Sequence, residues 1–180
     1  MDAQSSFLAH DDGALRLADG RRITIGRLTP RDRPLIEAAM ARLSPESSRR
    51  RFFTVRHRLS DRELDDLTQP GRPGALAIGA AAHYPDGRVE GVGVARFVGA
   101  PGDPASAEVA VTVIDDYQNL GIGRLLLQRL GREALRRGVR RFTGLVLEDN
   151  APMLALLQRV AQRLVRRRSG EHVAVEIPLA

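Results

Sequence analysis

Residues 108 to 124 read Glu-Val-Ala-Val-Thr-Val-Ile-Asp-Asp-Tyr-Gln-Asn-Leu-Gly-Ile-Gly-Arg. An apolar, β-branched run passes into a glycine-bearing turn, and from Gly121 the pattern becomes helical. Backbone N–H groups at a helix start have no intrahelical partner and sit at the positive end of the helix dipole. Gly121 and Gly123 keep side chains out of the approach, so the turn can seat a phosphate. It is not a Walker loop, because no lysine follows, and it lacks the third glycine and the acidic ribose clamp of a dinucleotide fold. Glu108 is the other chemical candidate. It is a lone acid in an otherwise apolar strand, where burial would raise its pKa toward the range of a general base. The competing reading makes it an edge carboxylate paired with an arginine. Asn150, ahead of Ala151-Pro152, suits a helix N-cap, and Met153 suits core packing.

The surrounding pattern supplies elements to hold these groups. Ala14–Leu17 and Arg22–Leu28 flank Ala18-Asp19-Gly20 and predict a hairpin. Thr29-Pro30 opens a helix to about Arg42, Ser44-Pro45-Glu46 another to about Phe53, and Ser60–Glu63 is a capping box for a third. Ala75–His83 and Val89–Val98 predict paired strands around the Tyr84–Gly87 turn, and Pro70–Gly74 and Gly99–Pro104 predict loops. Ala105–Ile114 reads as a buried strand. Leu126, Leu127, Leu130 and Ala134 mark a helix capped by Gly138, followed by a strand at Arg141–Leu147. Met153, Leu156, Leu157, Val160 and Leu164 predict a last helix, and Val173–Ile177 a closing strand. Residues 14–180 are expected to form one α/β domain behind a loose, flexible segment at 1–13.

Composition narrows the chemistry. The 180-residue chain has no cysteine, which excludes disulfides, thiolate zinc sites and a cysteine nucleophile. His10, His57, His83 and His172 are scattered without ligand spacing, so no metal site is expected. All 28 basic residues are arginine, giving a net charge of +6. They spread along the whole chain, as a solvated surface would. Met1–His10 lacks a signal-peptide pattern and no apolar run is long enough to span a bilayer, so a cytoplasmic protein without membrane contact is expected.

Gln118-Asn119-Leu120-Gly121-Ile122-Gly123 resembles the pyrophosphate loop of the GNAT superfamily of acetyltransferases, Gln/Arg-x-x-Gly-x-Gly/Ala. The strand before it, the leucine-rich helix after it and Leu147-Glu148-Asp149-Asn150 follow that family's order, and the likeness extends over most of the chain. Leu43–Ser47, Arg51-Phe52-Phe53 and Ala107–Val111 resemble the bacterial Pat-type protein lysine acetyltransferases, and the extra regulatory or synthetase-like domain those proteins often carry is not expected within these 180 residues. The resemblance implies an α+β fold, a mixed, mostly antiparallel sheet flanked by helices, with strands Ala105–Ile114 and Arg141–Leu147 parallel and splayed. Acetyl-CoA is the implied co-substrate. Its pantetheine arm would lie along Val111, Thr112 and Val113, with its pyrophosphate on Gln118, Asn119, Leu120, Gly121, Ile122, Gly123 and Arg124. Asn150 and Met153 would line the same channel.

The implied reaction is direct attack of a primary amine, that of a protein lysine, on the thioester, through a tetrahedral oxyanion held by a backbone N–H near Val111 to Val113. A lysine amine is almost wholly protonated at neutral pH, and the resemblance makes Glu108 the catalytic base. Two positions depart from the family. Leu157 stands where many members carry a tyrosine acid, so the thiol would leave as thiolate, and Val160-Ala161 replaces a Gly-Phe pair. Tyr117 is assigned to the rim of the loop. A small-amine acetyltransferase and a non-catalytic acyl-CoA sensor are the alternatives. Nucleic acid is a weaker partner, suggested by Arg49–Arg51 and Arg166–Arg168 against only 4% aromatic residues. A monomer or a homodimer fits the chain equally.

Overall fold

The structure, a computed structural model, describes residues 15–69 and 73–179. The expected loose N-terminal segment, Ala14, His10 and most of the Pro70–Gly74 loop lie outside the described residues. Eight strands form one sheet: β1 (Leu15–Arg16), β2 (Arg22–Arg27), β3 (Ala75–His83), β4 (Val89–Ala100), β5 (Asp103–Val113), β6 (Arg141–Leu147), β7 (Val165–Ser169) and β8 (His172–Pro178). The sheet order is β1-β2-β3-β4-β5-β6-β8-β7, and every neighbouring pair is antiparallel except β5 and β6. Five helices flank it: α1 (Arg33–Ala41), α2 (Pro45–Phe52), α3 (Asp61–Thr68), α4 (Ile122–Arg136) and α5 (Ala151–Val160). This is the expected mixed sheet with one parallel pair. None of the described helices is long and apolar enough to cross a membrane.

The period-2 pattern of β3 divides the core. Ile78, Ala80 and Ala82 join the main cluster, where α4 contributes Leu126, Leu130 and Ala134. Ala77 and Ala81 join a second cluster with Ile36 of α1 and Leu64 and Leu67 of α3. The helix starts follow their capping residues. Ser60 and Glu63 form the capping box of α3, and the Ser44 hydroxyl accepts from the Ser47 amide at the start of α2.

Four expectations need correction. The segment Gly99–Pro104 is not an open loop, because β4 and β5 run on to a tight turn with Gly102 at φ +76°. The first predicted helix opens with a 3-10 turn at Pro30–Asp32, where Asp32 takes the Thr29 amide and hydroxyl, both at 2.8 Å. Helix α5 stops at Val160 rather than Leu164, since the chain turns extended at Ala161 to enter another strand. That strand, β7, had no periodic signal because it is an edge strand whose arginines are solvated. A charged edge also blocks further strand pairing.

Candidate active site

Strands β5 and β6 pair over only three positions, Ser106 with Arg141, Ala107 with Phe142 and Glu108 with Thr143. Beyond that, β5 stays on β4 and β6 stays on β8, so the parallel pair opens into a cleft of about 900 Å³. The Thr112 carbonyl is directed at β4, 3.1 Å from where a Cβ on Gly93 would sit. Strand alternation therefore turns the backbone groups of Val111 and Val113 toward the cleft. The Val113 carbonyl is already taken by Gln118 Nε2 at 3.1 Å, which leaves Val111 as the open position on this edge.

The glycine turn closes the wide end of the cleft. Asn119 and Gly121 both have positive φ, +59° and +84°, and a Cβ at Gly121 would meet nothing within 4 Å. Gly121 is thus required by conformation, with open space beside it. Gly123 has a different job, since a Cβ there would sit 3.1 Å from Leu156 Cδ2 of α5. The first intrahelical bond runs from the Leu125 amide to the Gly121 carbonyl at 3.1 Å. The amides of Ile122, Gly123 and Arg124 precede it and have no protein acceptor among the described residues. The Gln118 amide is committed to the Asp115 carbonyl at 3.1 Å, and its side chain also donates to Ser47 Oγ at 3.1 Å. Gln118 therefore braces the turn, while Asn119 and Leu120 are exposed on it.

Helix α2 spans the cleft as a roof. Ser44 and Ser47 donate to Asp115 at 2.7 and 2.8 Å on one bank. On the other, Arg49 pairs with Asp149 at 2.6 Å and Phe53 meets His172 edge to face at 4.9 Å. Asn150 is buried, and its side chain accepts from the Met153 amide at 3.2 Å, so the N-cap reading holds. Both residues line the cleft. Leu157 is buried as well.

A second cavity, of about 350 Å³, lies between α1–α3 and the other face of β4 and β5. Glu108, Ala110 and Thr112 line both cavities, as does Arg51 of α2. Glu108 therefore stands where a group from one cavity would meet a group from the other. Its expected burial is overturned, because the side chain is exposed. Alternation explains the error: Ala107 and Val111 enter the core, and the intervening face carrying Glu108 opens on the cavities. No arginine ion pair to Glu108 is present among the described residues.

Tyr117 needs a second correction. It is buried beneath the turn rather than on its rim, with its hydroxyl 2.8 Å from that of Tyr84 and 3.3 Å from Glu90 Oε2. Arg21 stacks over its ring, 4.7 Å from the centroid. Burial pushes the phenol's pKa up, the hydrogen bond with Tyr84 adds to this, and Arg21 opposes it. Sequence reasoning missed Arg51 and Arg96 as cavity-lining groups, since nothing local sets them apart from the other arginines.

A sheet split at one parallel pair, with free helix-start amides at the opening, offers an anion seat beside an open strand edge. Comparison with known proteins agrees. The profile of the acetyltransferase (GNAT) family matches residues 41–161. The chain belongs to that family. An acetyltransferase of Pseudomonas aeruginosa is 35% identical over 124 residues, 69% of this chain and 66% of that protein's length. The crystal structure of the GNAT domain of S. lividans PAT superposes with a TM-score of 0.78 at 27% identity, covering 92% of this chain and 96% of that one. An acetyltransferase from Salmonella typhimurium, solved with its cofactor acetyl-CoA, shares the fold with a TM-score of 0.65 at 20% identity, over 88% and 94% of the two chains.

Proposed function

We propose that the chain is an acetyl-CoA-dependent N-acetyltransferase that acts on a primary amine, with Glu108 as general base. The observation that carries this is the position of Glu108 at the meeting of two cavities, one ending on free helix-start amides. The cleft residues suit the co-substrate: open amides at Ile122–Arg124 for its pyrophosphate, the free edge at Val111 for its amide-bearing arm, and Asn150 and Met153 along the wall. When bound, acetyl-CoA supplies a thioester carbonyl that an amine can attack and a thiol that leaves readily.

Glu108 takes the proton that the amine nitrogen loses. An acceptor filling the smaller cavity would exclude the water that otherwise competes for its carboxylate. The backbone N–H of Val111 lies on the open strand edge and is the donor we assign to charge developing on the carbonyl oxygen. No side chain is assigned as acid for the thiolate. Leu157 has no proton to give, and the Tyr117 hydroxyl is engaged with Tyr84 and Glu90.

The Pat-type resemblance implies a protein lysine as acceptor. The cavity behind Glu108 favours a second reading, a small amine, since about 350 Å³ is the size of a small-ligand site. The test is Glu108→Gln in a thiol-release assay at pH 7–8 with a panel of amines. Turnover is expected to drop about 100-fold or more while acetyl-CoA affinity stays the same. Full turnover by the variant would remove Glu108 from the chemistry.

A further inference from the structure

The smaller cavity carries charge that acetyl transfer does not use. Its walls are mainly apolar, with Leu35, Met40 and Phe52 from α1 and α2, and four charged residues line it: Arg51, Glu63, Arg96 and Glu108. Glu63 is already neutralised by a bidentate contact with Arg56 at 2.6 and 2.7 Å. Arg51, Arg96 and Glu108 make no hydrogen bond or ion pair through their side chains among the described residues. Arg96 and Glu108 share one face of adjacent strands, since Arg96 lies opposite Ala110 and Val98 opposite Glu108. Arg51 descends on that face from α2. Burial, and next the like charge of Arg96, pull the Arg51 pKa down to about 10, with Glu108 opposing. Arg51 lies over the Phe52 ring, 4.7 Å from its centroid, and beyond that the cavity holds two cations against one unpaired anion inside mainly apolar walls.

We infer that Arg51 and Arg96 bind a carboxylate on the acceptor, which is a small amino acid with an apolar side chain, its amine placed at Glu108. This rests on the transferase reading above and names its substrate class. An ammonium and a carboxylate on one apolar body match a site with one negative group, two positive groups and apolar walls. Arginine's planar fork suits a carboxylate, and such a charge-assisted contact discriminates strongly against a neutral amide. In the transfer, the ammonium first gives one proton to Glu108, which releases it to solvent, and the neutral amine nitrogen then bonds to the acetyl carbon. The carbon–sulfur bond breaks, its electron pair leaves with the thiolate, and Glu108 takes the second proton that nitrogen sheds.

The experiment compares L-leucine, L-methionine and L-phenylalanine with their carboxamides, and with a lysine-containing peptide, by thiol release with the full chain. The amino acids are expected to exceed their amides by about tenfold or more in kcat/KM, the size of one charged hydrogen bond. Arg96→Gln and Arg51→Gln should level that ratio. Arg96→Gln should do so with the KM for acetyl-CoA unchanged, and Arg96→Lys should restore part of it. Arg31→Gln, an exposed site away from both cavities, should keep it. Amides used as well as the acids, a preference that survives both substitutions, or a lysine peptide used better than every amino acid would overturn the inference. Each of those results still shows acetyl transfer or cofactor use, whereas failure to bind acetyl-CoA would overturn the transferase reading itself.

Discussion

Replacing Gly121 separates conformation from charge at the helix start. A Cβ there touches nothing within 4 Å, so alanine brings strain and no clash. Holding an L-residue at the left-handed φ of +84° costs about 1–2 kcal/mol. For a 180-residue domain, where each kcal/mol moves the midpoint by about 2–4 °C, Gly121→Ala should lower Tm by about 2–8 °C. Gly121→Glu brings the same strain and adds a carboxylate beside the open amides. At about 6 Å, and with an effective dielectric of about 20–80, each pair of like charges costs about 0.7–3 kcal/mol. Acetyl-CoA should therefore bind Gly121→Glu about 3- to 100-fold more weakly than Gly121→Ala for each phosphate charge that the carboxylate meets. Calorimetric titration of the wild type and both variants reads this directly. Raising the salt to about 0.5 M should narrow the gap between the variants, because screening acts on the charge and not on the strain. Equal affinity in the two variants would refute an anion seat at Ile122–Arg124. A wild type that binds no acetyl-CoA would refute the transferase reading.

Gln118→Ala removes the brace from the Val113 carbonyl and from Ser47, and acetyl-CoA affinity by calorimetry should fall about 3- to 10-fold, matching about 0.5–1.5 kcal/mol. Asn150→Ala loses the N-cap of α5, which should cost about 0.5–2 kcal/mol in chemical denaturation. Glu133 gives a pH signature. Burial pushes its carboxyl up, but hydrogen bonds from Arg137 and Arg27 outweigh burial and hold it at about 2 against an ordinary 4.5. A lowered native pKa stabilises the fold fully above about pH 4.5, and the benefit is lost as pH falls toward 2. Denaturation from pH 7 to pH 2 should therefore show the wild type losing about 3 kcal/mol more than Glu133→Gln.

Most elements were legible because their signals are local. The capping residues Ser44 and Ser60, the Tyr84–Gly87 turn and the leucine spacing of α4 each act within a few residues, and each sits where its pattern puts it. Strand β7 was illegible because an edge strand needs no buried face, and Val-Arg-Arg-Arg-Ser shows no alternation. Glu108 failed in a more instructive way. Its neighbours are apolar, which suggested burial, yet the period-2 rule applied along Glu108, Ala110 and Thr112 already marks that face as the less apolar one.

The two halves of the candidate site differ in the same respect. Most of the proposed cofactor half is continuous in sequence, since one strand, one turn and one helix start carry it between Glu108 and Arg124, and only Asn150 and Met153 join it from the start of α5. The acceptor half is assembled across the fold. Arg96 reaches Glu108 only through the β4–β5 register, and Arg51 arrives from a helix more than fifty residues upstream of that strand. In a chain whose 28 basic residues are all arginine, type and spacing give those two no distinction. What distinguishes them is that Arg42, Arg49, Arg56 and Arg137 each form an ion pair with a carboxylate, whereas these two line a largely apolar cavity with no ion pair of their own among the described residues. A positive charge held there without an ion pair costs stability unless a ligand answers it, and on that ground we propose an acidic group on the acceptor.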